Sequence, residues 1–171
     1  MSQRDSGYER KERDLYETPA WVTAALVPHI HKRIDRIYEP ACGSGKMVDA
    51  LRAAGYMVDS SDIDGGQDFL ESTDQRQAVI TNPPYEHARM FIVQAIHLTK
   101  DRFGFVAMLL RTDYDHAATR RHIFMAPFAK KLVLTKRIKW FEDSKGQPSF
   151  NHAWFIWDWK HSGPPTLAYG P

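Results

Sequence analysis

The chain has almost no cysteine. Cys42 stands alone among 171 residues, which excludes an internal disulfide and any zinc knuckle built on paired cysteines. No apolar run approaches the ~18 residues that a membrane-crossing helix needs. The opening residues, MSQRDSGYERKERD, are charged throughout and lack the apolar centre of a signal peptide. Internal repeats and an internal linker are also missing. These absences lead to the expectation of a cytoplasmic protein, with no membrane partner, folded as one domain. Residues 1–14, polar and aperiodic, read as a flexible segment, residues 15–160 as the domain, and the Gly/Pro-rich 161–171 as an irregular tail.

Net charge is close to zero as well, at +2, but it is unevenly spread. Residues 100–171 carry 12 Lys/Arg against 6 Asp/Glu, whereas residues 36–99 carry 5 against 9. A basic C-terminal half suits a phosphate backbone, and a solvated surface has the same composition.

What is present alternates between two periods. RIYE (36–39), YMVDSSDI, QAVITN, FGFVAMLL, KKLVLT and HAWFIWDW read as strands. FGFVAMLL is apolar almost throughout, as for a strand covered on both faces. Between the strands, Met47, Ala50, Leu51 and Ala54 share one helical face, as do Ala88, Phe91, Ile92, Ala95 and Ile96. Gly55 ends the first of these helices. An earlier helix follows YETP, with Thr18 as cap and Pro19 in the first turn. Strands alternating with helices give an α/β fold, a mostly parallel Rossmann-like sheet flanked by helices.

Two stretches carry chemistry. EPACGSGK follows a strand and opens a helix, where phosphate loops and dinucleotide fingerprints also occur. A Walker-type loop needs glycine at position 40 and Ser or Thr at 47, and the chain has Pro40 and Met47. A dinucleotide fingerprint needs a third glycine where Val48 stands. S-adenosylmethionine carries no phosphate and asks only that backbone approach closely, which Gly43 and Gly45 allow. Glu39 suits its cationic groups, Asp62 at the end of the next strand suits ribose hydroxyls, and Asp68 with Phe69 suits an adenine. Phe69 also fits simple core packing.

The second stretch is AVITNPPYEHARM, residues 78–90. Together, YEPACGSG and TNPPY resemble the first motif and the catalytic motif of class I S-adenosylmethionine-dependent methyltransferases, above all DNA adenine-N6 methyltransferases. YETP resembles the additional cofactor motif that such enzymes carry upstream, which adds Tyr16 and Thr18 to the cofactor set. The resemblance covers about residues 15–110. It implies S-adenosylmethionine as cofactor, no metal, and methyl transfer to an exocyclic amine with Asn82, Pro83, Pro84 and Tyr85 at the reaction centre.

That chemistry accounts for the residue types. An aromatic amine is a poor nucleophile, and acceptors aimed at its N–H bonds favour the pyramidal geometry of attack. The Asn82 side chain and the Pro83 carbonyl offer two such acceptors. Consecutive prolines hold them in place, and Tyr85 offers a surface on which a flipped base can stack. His29 and His31 have a metal-binding spacing but read as surface residues.

Substrate identity is less constrained. Arg111, Arg120, Arg121 and Trp140 lie in basic, aromatic stretches after a strand end, pointing to nucleic acid, DNA first. Trp154, Phe155, Trp157 and Trp159 read as core. The resemblance also admits RNA or protein amino groups, and a catalytically silent nucleic-acid-binding subunit is the alternative of another class. Family relatives often carry a separate target-recognition domain. The 86 residues after Tyr85 are taken up by a helix, a strand, a second helix and two strands, which leaves three sources of sequence specificity open: little at all, short loops such as 111–127 and 137–152, or a separate specificity partner; a homodimer is open as well.

Overall fold

The computed structural model describes residues 16–125, 127–140 and 150–171. The expected flexible segment, 1–14, lies outside the described residues. The strands are β1 (Arg36–Glu39), β2 (Met57–Ser60), β3 (Ala78–Thr81), β4 (Phe105–Arg111), β5 (Phe128–Leu134), β6 (His152–Asp158) and β7 (Thr166–Gly170). The helices are α1 (Ala20–Leu26), α2 (Lys46–Ala53) and α3 (Ala88–Thr99). The strands form one sheet in the order β2-β1-β3-β4-β6-β5-β7. β6 runs antiparallel to both β4 and β5, and the remaining pairs are parallel.

Alternation along the central strands builds two cores. Ile80, Phe105, Ala107, Leu109, Trp154 and Ile156 face α1 and α2, meeting Val22, Leu26, Val48 and Leu51. Val79, Val106, Met108, Leu110, Phe155 and Trp157 face the other way, against Phe91, Ile92, Ala95 and Leu98 of α3. Both faces of β4 are therefore covered, which is why its sequence is apolar without alternation. Trp154, Phe155 and Trp157 are core as expected, while half-buried Trp159 donates its indole N–H to Thr99.

Three expectations need correction. The tail is not irregular: β7 pairs in parallel with β5 and ends the sheet. Gly163, at φ 97°, and the prolines beside it turn the chain before this short edge strand, and they concealed it. Its apolar residues Leu167 and Tyr169 are exposed, so burial left no pattern to read. Next, a 3-10 segment, Ala118–Phe124, stands where a second helix was expected between β4 and β5. Finally, Pro19 rather than Thr18 occupies the N-cap of α1, and no side chain caps the helix. Thr18 is one residue too early for that task and is instead 5% exposed beside a cleft.

Sheet order also locates that cleft. From β1 the chain passes to β2 on one side, and β3 adds on the other. Crossovers leaving in opposite directions open a crevice at the carboxyl ends of β1 and β3, where parallel sheets bind ligands.

Candidate active site

The crevice is lined by Tyr16, Thr18, Glu39, Gly43, Asp62, Asn82 and Pro84, seven of the residues singled out from sequence. They come from three strand ends and the segment ahead of α1. Met47, Ile63 and Asp64 also line it.

The loop after β1 is shaped by its glycines. Gly43 has φ 50° and Gly45 φ 91°, the left-handed region that a side chain disfavours. Gly45 is the N-cap of α2, and a Cβ placed there would meet nothing within 4 Å. Backbone conformation, not crowding, is what requires glycine at this position. Asp62 ties the loop across the crevice. One carboxylate oxygen accepts from Gly43 N–H at 2.9 Å and the other from Asp64 N–H at 3.0 Å. Each oxygen keeps a further lone pair for a ligand.

Glu39 is buried to 1% exposure. One of its oxygens accepts weakly from Ala41 N–H at 3.3 Å, and Oε2 has no partner among the described residues. Burial drives its pKa from an ordinary 4.5 up to about 8; nearby Asp62 adds to the rise, and the Ala41 N–H opposes it. An acid raised in this way contributes stability that is complete below its unfolded pKa and is lost as pH rises through about 8. Wild-type melting temperature is therefore expected to fall as pH rises from 4.5 to about 8, and Glu39→Gln to flatten that slope in a thermal-shift series. The Cys42 thiol is also pushed up, by burial and then by Asp62 and Glu39, which disfavours a thiolate nucleophile.

Asn82 follows β3 directly. Its amide N–H donates to the Tyr16 carbonyl at 3.0 Å, which fixes the direction of the side chain. The other end, Oδ1, is buried and has no hydrogen-bond partner among the described residues. An orphaned amide oxygen costs about 1–3 kcal/mol, so folding alone gives no reason to keep it. Pro83 is buried behind it, and Pro84 caps the 3-10 turn Tyr85–His87.

Around Tyr85 lies an aromatic group. Its centroid is 6.0 Å from Tyr16, and Tyr16 is 5.4 Å from Trp140. The Tyr85 hydroxyl is 3.0 Å from Nε2 of His152. Burial holds the His152 imidazole down to about 4, with Arg111 adding to the effect. Glu17 reaches across to Lys46 at the start of α2, at 2.6 Å, tying the segment before α1 to the far wall.

Other expected residues lie elsewhere. Phe69 is 2% exposed and packs against Phe91 and Tyr38, so the core accounts for its ring. Asp68 accepts from Leu70 N–H and caps its own turn. Neither lines the crevice. Arg111 pairs with Asp113 and lies over Phe150. The Arg120 guanidinium stacks on Tyr114. Arg121 borders a separate shallow groove with Phe124 and Phe128. Of the four expected substrate residues, only Trp140 joins the group at Tyr85.

Sequence reasoning missed Ile63 and His152. Ile63 is 62% exposed on the crevice wall, a large apolar surface next to Asp62. Its signal was an apolar residue directly after a strand-end acid. His152 opens an apolar strand and gave no signal beyond being its one polar ring. Among the described residues no cluster of metal-ligating side chains occurs, His29 and His31 included. No helix among them is long and apolar enough to cross a membrane.

No protein-family model matches the chain, and no curated protein does. Solved structures do match. A Pyrococcus horikoshii protein assigned as an RNA methyltransferase superposes with a TM-score of 0.67 at 14% identity, covering 90% of this chain and 89% of that one. A Listeria monocytogenes protein assigned as a class I S-adenosylmethionine-dependent methyltransferase gives 0.57 at 14% identity, covering 88% and 63%. The modification subunit assigned to a type I restriction enzyme of Vibrio vulnificus YJ016 gives 0.62 at 12%, covering 90% and 46%. The chain thus spans under two thirds of the Listeria protein and under half of the Vibrio subunit. At these identities the likeness is one of architecture: the chain has the class I methyltransferase fold.

Proposed function

We propose that this chain transfers a methyl group from S-adenosylmethionine to an exocyclic amine, adenine N6 in DNA. The observation that carries the proposal is the buried, unpartnered Oδ1 of Asn82, held by the Tyr16 carbonyl in the crevice that also holds Glu39, Gly43 and Asp62. When bound, S-adenosylmethionine would supply an electrophilic methyl group: the amine nitrogen would take it in line as the carbon–sulfur bond breaks, the neutral thioether S-adenosylhomocysteine would leave, and the amine would shed one proton to solvent.

The residues present fit that cofactor. Glu39 offers an unpartnered buried oxygen to an ammonium, and the positive charge of a ligand would favour its ionised form. Gly43 and Gly45 admit backbone contact, Asp62 offers lone pairs to ribose hydroxyls, and Ile63 offers an apolar face to a purine ring. Toward the target, Asn82 Oδ1 and the Pro83 carbonyl accept the two amine N–H bonds, and Tyr85 with Trp140 supplies stacking surface. Catalysis then consists of positioning and preorganised electrostatics, with no covalent intermediate on the protein.

DNA is favoured by the basic C-terminal half, in which residues 100–171 carry 12 Lys/Arg against 6 Asp/Glu, and by the aromatic surface beside the acceptors. RNA is the second reading, because a neighbour of nearly the same length is assigned to RNA. Cofactor binding by calorimetry, then label transfer from radiolabelled S-adenosylmethionine to duplex DNA, single-stranded DNA, RNA and protein extract, tests the proposal. Incorporation into DNA supports it. Cofactor binding with no acceptor labelled would move the reading to a partner-dependent or silent subunit.

A further inference from the structure

We infer that His152 is a positioning residue for the target amine: through the Tyr85 hydroxyl it fixes the ring on which the target base stacks. The inference rests on the reading of the NPPY turn as the amine site.

Tyr85 begins a short turn and is half-buried, so one side of its ring faces the aromatic group and its direction must be set by something rigid. His152 is rigid. It is 2% exposed, opens β6, and lies opposite Arg111 in the β4–β6 register. Trp140 stands edge-on to it at 5.1 Å. From this place Nε2 meets the Tyr85 hydroxyl at 3.0 Å, with the two rings 29° from parallel and 6.4 Å apart. The bond joins the loop after β3 to β6, with β4 lying between these strands in the sheet.

The residue type points the same way. The following residues of β6, Ala153 to Trp157, are apolar and buried, and an apolar side chain at 152 would avoid the cost of desolvating an imidazole. Of its two ring nitrogens, Nε2 has a partner, the hydroxyl of the stacking residue, while Nδ1 is buried with no hydrogen-bond partner among the described residues, so the bond to Tyr85 is what offsets the cost of keeping an imidazole here. Rotamers locked by packing are what hold a reactive constellation to the tolerance that catalysis needs.

Steady-state kinetics of the full chain on the polymer it methylates test this, using His152→Ala, His152→Gln, Tyr85→Phe and the double variant His152→Ala with Tyr85→Phe. Tyr85→Phe keeps the ring and loses only the hydroxyl, so it reports even if His152→Ala folds poorly. Each single variant is expected to lower kcat/KM for the polymer about five- to tenfold, the worth of one net hydrogen bond. Cofactor Kd should not move. The double variant should be no worse than either single, because both remove the same bond, and His152→Gln should recover part of the loss by offering an amide to the hydroxyl. Multiplying effects in the double variant, or wild-type kinetics for Tyr85→Phe, would overturn the role of His152 alone. A wild-type protein that labels no polymer would instead overturn the amine-site reading beneath it.

Discussion

Replacing Asn82 with alanine is expected to lower the methyl-transfer rate by about 10²–10³-fold, the cost of one preorganised group at a developing charge. Cofactor affinity should stay close to wild type, because the loop that holds it is tied by Asp62 and not by Asn82. Stability gives a second readout. The substitution removes one ordinary hydrogen bond, to the Tyr16 carbonyl, and also removes a buried oxygen that has no donor. A bond worth about 1 kcal/mol is set against an orphan costing about 1–3 kcal/mol. Melting temperature should therefore hold steady or rise while activity collapses, the pattern of a group kept for function. Asn82→Asp is the informative companion: it retains an oxygen but sets a carboxylate against the Tyr16 carbonyl. Partial activity with lowered stability is expected. Full activity in Asn82→Ala would remove the acceptor from the mechanism.

Asp62→Ala is expected to act on the other half of the site, raising the cofactor Kd about 10- to 100-fold in calorimetry. Two charge-assisted bonds, to Gly43 N–H and Asp64 N–H, disappear together. Each is worth about 1.5–3 kcal/mol, and a tenfold change in affinity needs only about 1.4 kcal/mol. Relaxation of the freed loop will absorb part of that. Gly43, at φ 50°, would lose the contact that pins its left-handed backbone in place. Turnover at saturating cofactor should then recover substantially, which separates Asp62 from Asn82. Asp62→Asn should fall between, since an amide oxygen can still accept one bond. An unchanged Kd in Asp62→Ala would reduce the residue to a cap for the turn Ile63–Gly65.

How much of this was legible in the sequence depends on whether burial or position decided each residue. Strands β1 to β6 and the long helices declared themselves because two covered faces demand apolar runs and one-face spacing. β7 did not, being a five-residue edge strand with its apolar side chains exposed. Glu39, Gly43, Asp62, Asn82 and Pro84 were legible because they sit at or just after strand ends, and parallel strands place their carboxyl ends together; Tyr16 and Thr18, ahead of α1, were legible only through the YETP motif. Asp68 and Phe69 misled for the complementary reason. They lie beyond the 3-10 turn Ile63–Gly65 that follows β2, at the start of another such turn, where chain direction is set by local caps and not by the sheet. Phe69 then turned inward to Phe91 and Tyr38. Arg111 and Arg120 were placed near the right strand end, but ion pairing and stacking with neighbours engage them. His152 depended on the β4–β6 register, which no local pattern encodes.

The most direct test of the central claim, that the Asn82 oxygen receives an exocyclic amine, is the identity of the methylated atom. Methylated polymer made with labelled S-adenosylmethionine is digested to nucleosides and the labelled species is resolved by chromatography and mass. The account predicts label in N6-methyladenine from DNA, absent when Asn82 is alanine. Label on a ring carbon, a ring nitrogen or a hydroxyl oxygen, or label that persists in Asn82→Ala, would contradict it.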